Sequence, residues 1–153
     1  MFKFMKSKKG FTLVELMIVV VIMAILVAVA VPIFSAVTKN AQEKTCNSNR
    51  REIVSQVSNY CMGGGSDGTL YNQDDSFKIT SDGKKGTPTA GTGTNSKLTV
   101  AVINGMFQSL PYCPAGETNT KGTYTVELKA GAAGSTPTII VYCDLHAAKP
   151  ATT

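Results

Sequence analysis

The chain has 153 residues, 43% apolar, with fifteen basic and ten acidic side chains and a formal charge of +5. Four of the basic residues, Lys3, Lys6, Lys8 and Lys9, precede Gly10, and the remaining eleven nearly balance the acids. The positive balance therefore marks one end of the chain, where it holds a segment on the cytoplasmic side of a membrane, and no nucleic-acid partner is inferred.

In chain order, the first element is an apolar helix. Leu16 to Val31 runs sixteen residues without a polar side chain, and Phe11 to Val31 covers twenty-one, about the length needed to cross hydrocarbon as a helix. A secretory signal cut at Ala28-Val29-Ala30 and a plain membrane anchor are the simpler readings. Neither accounts for Glu15, because a carboxylate in an apolar span is costly and is retained only where something uses it.

The string Lys8-Lys9-Gly10-Phe11-Thr12-Leu13-Val14-Glu15 resembles the signal of type IV prepilins and pseudopilins. The resemblance implies cleavage by a prepilin peptidase between Gly10 and Phe11, leaving N-methylphenylalanine at Phe11. It implies that Glu15 pairs with the cationic amino terminus of a neighbouring subunit during assembly, and that Pro32 is the stem proline common in these proteins. In a medium of low dielectric the two opposite charges offset much of each other's desolvation. The expected division is a leader over 1–10, a membrane and filament-core helix over 11–34, and a head over 35–153.

Nothing from Pro32 to Cys61 stops a helix, and Met62-Gly63-Gly64-Gly65 is a stop signal. Cys46, Ile53, Val57 and Tyr60 form a narrow apolar stripe at the 3.6-residue period, with Val54 and Cys61 at its edge. Ser76 to Thr80, Tyr124 to Leu128 and Ile139 to Leu145 read as strands. Ser81 to Ser96 reads as an exposed loop, and Lys97 to Phe107 fits either a strand or a short helix. A long helix followed by antiparallel strands is an α+β arrangement, and it resembles the type IV pilin fold.

The four cysteines, Cys46, Cys61, Cys113 and Cys143, form no CxxC pair and are disulfide candidates in an exported domain. Cys46 and Cys61 lie fifteen residues apart on one helix, about 22 Å at the helical rise, and a disulfide requires Cα atoms within about 7 Å. This leaves Cys46–Cys113 with Cys61–Cys143, Cys46–Cys143 with Cys61–Cys113, or Cys113–Cys143 alone. Cys113-Pro114-Ala115-Gly116, Tyr124, Cys143 and His146 resemble a head pattern of some Gram-positive pilins and competence pseudopilins, which favours proximity of Cys113 and Cys143. The first reading places no metal in the head. The alternative is a thiolate-rich zinc site from Cys46, Cys113, Cys143 and His146, although a lone histidine by itself reads as a surface or packing residue. Asp67, Asp74, Asp75 and Asp82 lack EF-hand spacing and read as solvated loop acids.

No phosphate loop, nucleophile elbow or other catalytic set is present, so neither an enzyme nor a cofactor is expected. The functional expectation is a structural subunit of a type IV pilus. It would begin as a single-pass precursor in the cytoplasmic membrane and end in an extracellular homopolymer. The resemblance implies the partners: other pilin subunits, prepilin peptidase, an assembly ATPase, a platform protein and, before assembly, membrane lipid. The alternatives are a pseudopilin of a type II secretion or DNA-uptake system and, more distantly, a Sec-secreted disulfide-stapled binding module.

Overall fold

The computed structural model describes residues 10–64, 70–81, 84–93, 96–115 and 122–146. The elements are α1 (Leu13–Asn59), continued by one π-type turn over Tyr60–Gly64, then β1 (Asp75–Ser81), β2 (Gly86–Pro88), α2 (Val100–Met106), β3 (Gly122–Lys129) and β4 (Thr138–Cys143). Contacts divide the chain into two compact units, Met1–Thr38 and Lys39–Thr153.

In the first unit α1 is apolar all round. Its side chains from Leu13 to Val37 are exposed, Leu16 at 61%, Ile25 at 61% and Phe34 at 74% among them. The described helix has a window of mean hydropathy 3.2. A helix hydrophobic on every face needs an apolar surrounding that the chain itself does not supply. Pro32 lies inside α1 without interrupting it. Proline lacks one backbone donor, so the bond to the preceding turn is missing there. Six residues on, the Thr38 hydroxyl donates to the Phe34 carbonyl at 2.8 Å.

In the second unit α1 becomes amphipathic. Cys46, Ile53 and Val57 are fully buried as the 3.6-residue spacing predicts, whereas Cys61, expected at the edge of the stripe, is also fully buried and Tyr60 packs at the margin with Val54. Polar residues beside that stripe fasten the helix to its surroundings. Asn49 donates to the Tyr112 carbonyl at 2.8 Å, and the Arg50 Nε donates to the Val141 carbonyl at 2.9 Å. Gly63 ends the helix at φ 99°, a left-handed conformation natural to glycine.

The sheet has the order β2-β1-β3-β4 and is antiparallel throughout. Its register sets Phe77 beside Val126 and Val126 beside Val141, and Ile79 beside Tyr124 and Tyr124 beside Cys143. These rows are buried, as alternation on a one-sided sheet requires. The ambiguous stretch is a helix: Thr99 caps α2 by accepting the Val102 N–H, and Ile103 and Phe107 turn into the core. The stretch expected as loop contains β2. With three residues, Gly86-Thr87-Pro88, it carries no apolar alternation, and its edge place tolerates proline.

Asp74 and Asp75 are structural anchors, whereas Asp67 and Asp82 lie outside the described residues. Asp74 accepts the Ala130 N–H at 2.7 Å. Asp75 is 6% exposed. Its Oδ1 accepts the N–H groups of Ser76 and Gly93 at 2.8 and 2.7 Å, and its Oδ2 accepts the hydroxyls of Tyr71 and Ser96 at 2.5 Å each. Burial opposes ionisation most strongly, but the donors from Ser96, Tyr71, Gly93 and Ser76 together outweigh it and hold the carboxyl below its usual range. Burial and the Asp75 carboxylate in turn push the Tyr71 hydroxyl up.

With its folded-state pKa depressed, the Asp75 contribution to stability is present above the unfolded value and is lost as pH falls through the folded one. Asp75→Asn should therefore lower stability by about 1–3 kcal/mol at neutral pH, since buried donors lose their acceptor. It should also flatten the acid limb of the stability curve below about pH 4. Denaturant unfolding followed by circular dichroism from pH 7 to acid checks both effects.

Candidate functional site

Two groups of side chains stand out, one at the start of α1 and one in the head. At the start, Gly10 and Phe11 precede the helix and are exposed, Phe11 at 83%. A Cβ placed on Gly10 would meet no atom within 4 Å. Thr12 and Glu15 form a reciprocal pair: the Thr12 N–H and Oγ1 each donate to Glu15 Oε2 at 2.9 Å, and the Glu15 N–H donates to Thr12 Oγ1 at 3.3 Å. This is a capping box, which satisfies backbone donors that a first helical turn leaves unpaired. Thr12 was not anticipated as a site residue, although Thr-x-x-Glu before an apolar run is a legible signal for it. Both bonds to the Glu15 carboxylate end on Oε2, so the cap does not engage Oε1.

In the head, Cys46 of α1, Cys113 of the segment between α2 and β3, Cys143 at the end of β4 and His146 in the following turn converge. Their candidate ligand atoms all lie within 4.8 Å of one another. The Cys143 and Cys113 sulfurs are 3.7 Å apart, and His146 Nδ1 lies 3.4 Å from Cys113 Sγ and 3.9 Å from Cys143 Sγ. The three cysteines are fully buried and His146 is half-buried.

Cys113 and Cys143, the pair that the resemblance brings together, have their sulfurs 3.7 Å apart with no bond between them. Cys61 is buried outside this group, where burial pushes its thiol up to about 11. Both full two-disulfide schemes require Cys61 to meet Cys113 or Cys143, which sit instead with Cys46 and His146. His146 is a member of the cluster, not an isolated surface or packing residue.

Several features position the cluster. Tyr124 lies beside Cys143 in the sheet register; its hydroxyl accepts from Asn49 Nδ2 at 3.2 Å, and burial followed by the Cys46 contact pushes its pKa up. A hydrogen bond from Cys46, opposed by burial and reinforced by the Leu145 N–H and His146, pulls the Cys143 thiol down, making it the group most ready to become a thiolate. Cys46 moves the other way, first through that same bond and then through burial. The backbone of β3 passes so near that a Cβ on Gly122 would lie 2.5 Å from Cys113 Cβ and 2.8 Å from its sulfur. Only the hydrogen of glycine fits there.

Residues 5–31 match the family described as the prokaryotic N-terminal methylation motif, the type IV prepilin signature. No curated protein and no solved structure matches the chain. The motif includes Gly10, Phe11, Glu15 and the apolar stretch up to Val31, and it supports a type IV pilin-like or pseudopilin protein. With the apolar helix it fits a membrane-anchored precursor.

Gly122→Ala should displace Cys113, lower stability by about 1–3 kcal/mol as overpacking does, and open the cluster. Unfolding measurements and the rate at which an aromatic disulfide reagent labels the native thiols test this together. Labelling should accelerate in the variant, with Cys113 among the residues modified.

Proposed function

We propose that the chain is the structural subunit of a type IV pilus, cleaved between Gly10 and Phe11, N-methylated at Phe11 and polymerised through its apolar stem. The observation that carries this reading is the acid inside the apolar run. Glu15 stands four residues after Phe11 and begins a stretch with no other polar side chain up to Val31, within the matched motif. The role is structural rather than catalytic.

In the precursor, the lysines before Gly10 keep their end cytoplasmic and α1 spans lipid. Cleavage creates an ammonium at Phe11. In the polymer the exposed apolar faces of neighbouring stems cover one another, and Glu15 receives the ammonium of an adjacent subunit. Local capping by Thr12 is compatible with this exchange, because both of its bonds end on Oε2. A buried charge without its partner is far more costly than the pair, so a stem docked in the wrong vertical register is penalised. Assembly ATPase and platform protein supply the work and the scaffold. A pseudopilin of a secretion or DNA-uptake machine would use the same stem chemistry, and gene neighbourhood separates the two. Release after Ala30 by a signal peptidase would cut inside the continuous α1, which favours processing at Gly10.

A Cβ at residue 10 meets no atom of the described residues within 4 Å, so loss of processing in Gly10→Val reports on the peptidase and not on folding. In the native host, Gly10→Val should leave uncleaved precursor. Glu15→Ala should be cleaved normally yet yield few or no filaments. Glu15→Gln should behave like Glu15→Ala if charge is what matters, whereas Thr12→Ala should retain filaments at reduced yield. Amino-terminal sequencing and immunoblots of sheared filaments provide the readout. A mature product starting at Val31, or normal filaments from Glu15→Ala, overturns the proposal.

A further inference from the structure

We propose that Cys46, Cys113, Cys143 and His146 form a structural zinc site that clips α1 to the carboxyl-terminal end of the sheet. Four ligands from one chain close a tetrahedron and leave no open position, which is the arrangement of structural zinc rather than catalytic zinc.

The first argument is geometric. Zinc binds sulfur at about 2.3 Å and imidazole nitrogen at about 2.0–2.1 Å, and tetrahedral angles then place ligand atoms about 3.6–3.8 Å from one another. The Cys113–Cys143 sulfur separation is 3.7 Å, and Nδ1 of His146 stands 3.4 and 3.9 Å from these sulfurs. A disulfide would need the sulfurs at about 2.05 Å.

The second argument is chemical. Three buried sulfurs and one imidazole make a soft donor set that selects zinc over calcium or magnesium, which require oxygen. The surroundings fit a metal site as well. Cys143 Sγ receives the Leu145 N–H, and Tyr124 stands beside Cys46, hydrogen-bonding partners of the kind that orient thiolate ligands. Gly122 leaves room for Cys113. A surface cavity of about 480 Å³, lined by Lys39, Gln42, Glu43, Ala115, Leu145 and His146, leads to the histidine and provides a route for the ion.

Binding Zn²⁺ sends three thiol protons to solvent, while the neutral imidazole coordinates through Nδ1 and keeps its proton on Nε2. No electrons are exchanged, so the clip closes without an oxidant. Cys61 takes no part.

The test uses the full chain purified in detergent without reductant. Metal analysis should find about one zinc per chain. Cobalt substitution should give the intense visible bands of a tetrahedral thiolate site. Alkylation after denaturation, still without reductant, should modify all four cysteines. Cys61→Ala should keep the metal, whereas His146→Ala and Cys143→Ser should each weaken binding by at least about ten-fold. Chelation should lower the melting temperature of the head by about 10 °C. If Cys143→Ser does not fold, the wild-type cobalt spectrum and thiol count decide the matter. A chain that takes up no metal when refolded with zinc, or one in which Cys113 and Cys143 are recovered as a disulfide-linked peptide, overturns the site. Either result leaves cleavage at Gly10 untouched, so the two proposals fail separately.

Discussion

One helix has to satisfy two surroundings, and the rest of the molecule follows from that demand. Over its first part α1 exposes apolar side chains on every face. Over its second part the apolar residues narrow to Cys46, Ile53, Val57 and Cys61, flanked by polar side chains. A continuous helix satisfies its own backbone, which is obligatory in lipid. The same helix then contributes Cys46, Ile53 and Val57 to the buried core of the second unit. The change occurs without a loop, so the boundary is written in side chains alone.

That arrangement gives the sheet a narrow task. Four antiparallel strands present one buried face to a stripe only a few residues wide, with Phe77, Ile79, Tyr124, Val126 and Leu128 as its principal apolar groups. A domain of this length can fold on its own core, and a cross-link would add to that stability. The cysteine–histidine cluster lies where such a link has most effect, because it joins α1, the segment before β3 and the end of β4, which are far apart in sequence. Loop-closure entropy makes ties between distant segments the most valuable ones.

Features with a strong local period were legible in the sequence. The apolar stem, the buried stripe, the glycine stop after Met62 and the strands around Tyr124 and Val141 all follow from spacing that only one secondary structure satisfies. Features held by tertiary contact were not. β2 has no pattern of its own and exists because β1 offers it an edge. α2 depends on the Thr99 cap and on Ile103 finding the core, since a seven-residue helix cannot support itself. Asp75 looked like a solvated loop acid because its donors, Tyr71, Gly93 and Ser96, gather only when the loops close over it. Thr12 was readable but overshadowed, since Glu15 already had a role to explain its presence. The cysteines show the same limit. Helical rise separated Cys46 from Cys61, whereas the approach of His146 to Cys46, Cys113 and Cys143 depends on where the turn after β4 places it.

The two special groups of the chain solve opposite forms of one electrostatic problem. Glu15 is a charge in an apolar stretch that holds a local cap and, in the proposed polymer, waits for a cation from another copy. The head thiols are buried and neutral until a cation arrives from solvent. In each case the isolated chain tolerates the incomplete state through hydrogen bonds: Thr12 to the carboxylate, and the thiols and imidazole to one another. In the two proposals, an ion in the head would replace thiol and imidazole contacts by metal–ligand bonds, whereas at Glu15 a partner ammonium would add to a carboxylate already held by charge-assisted bonds from Thr12. The two groups lie in different compact units of the chain, Glu15 in Met1–Thr38 and the head thiols in Lys39–Thr153, so each proposal stands or falls on its own residues.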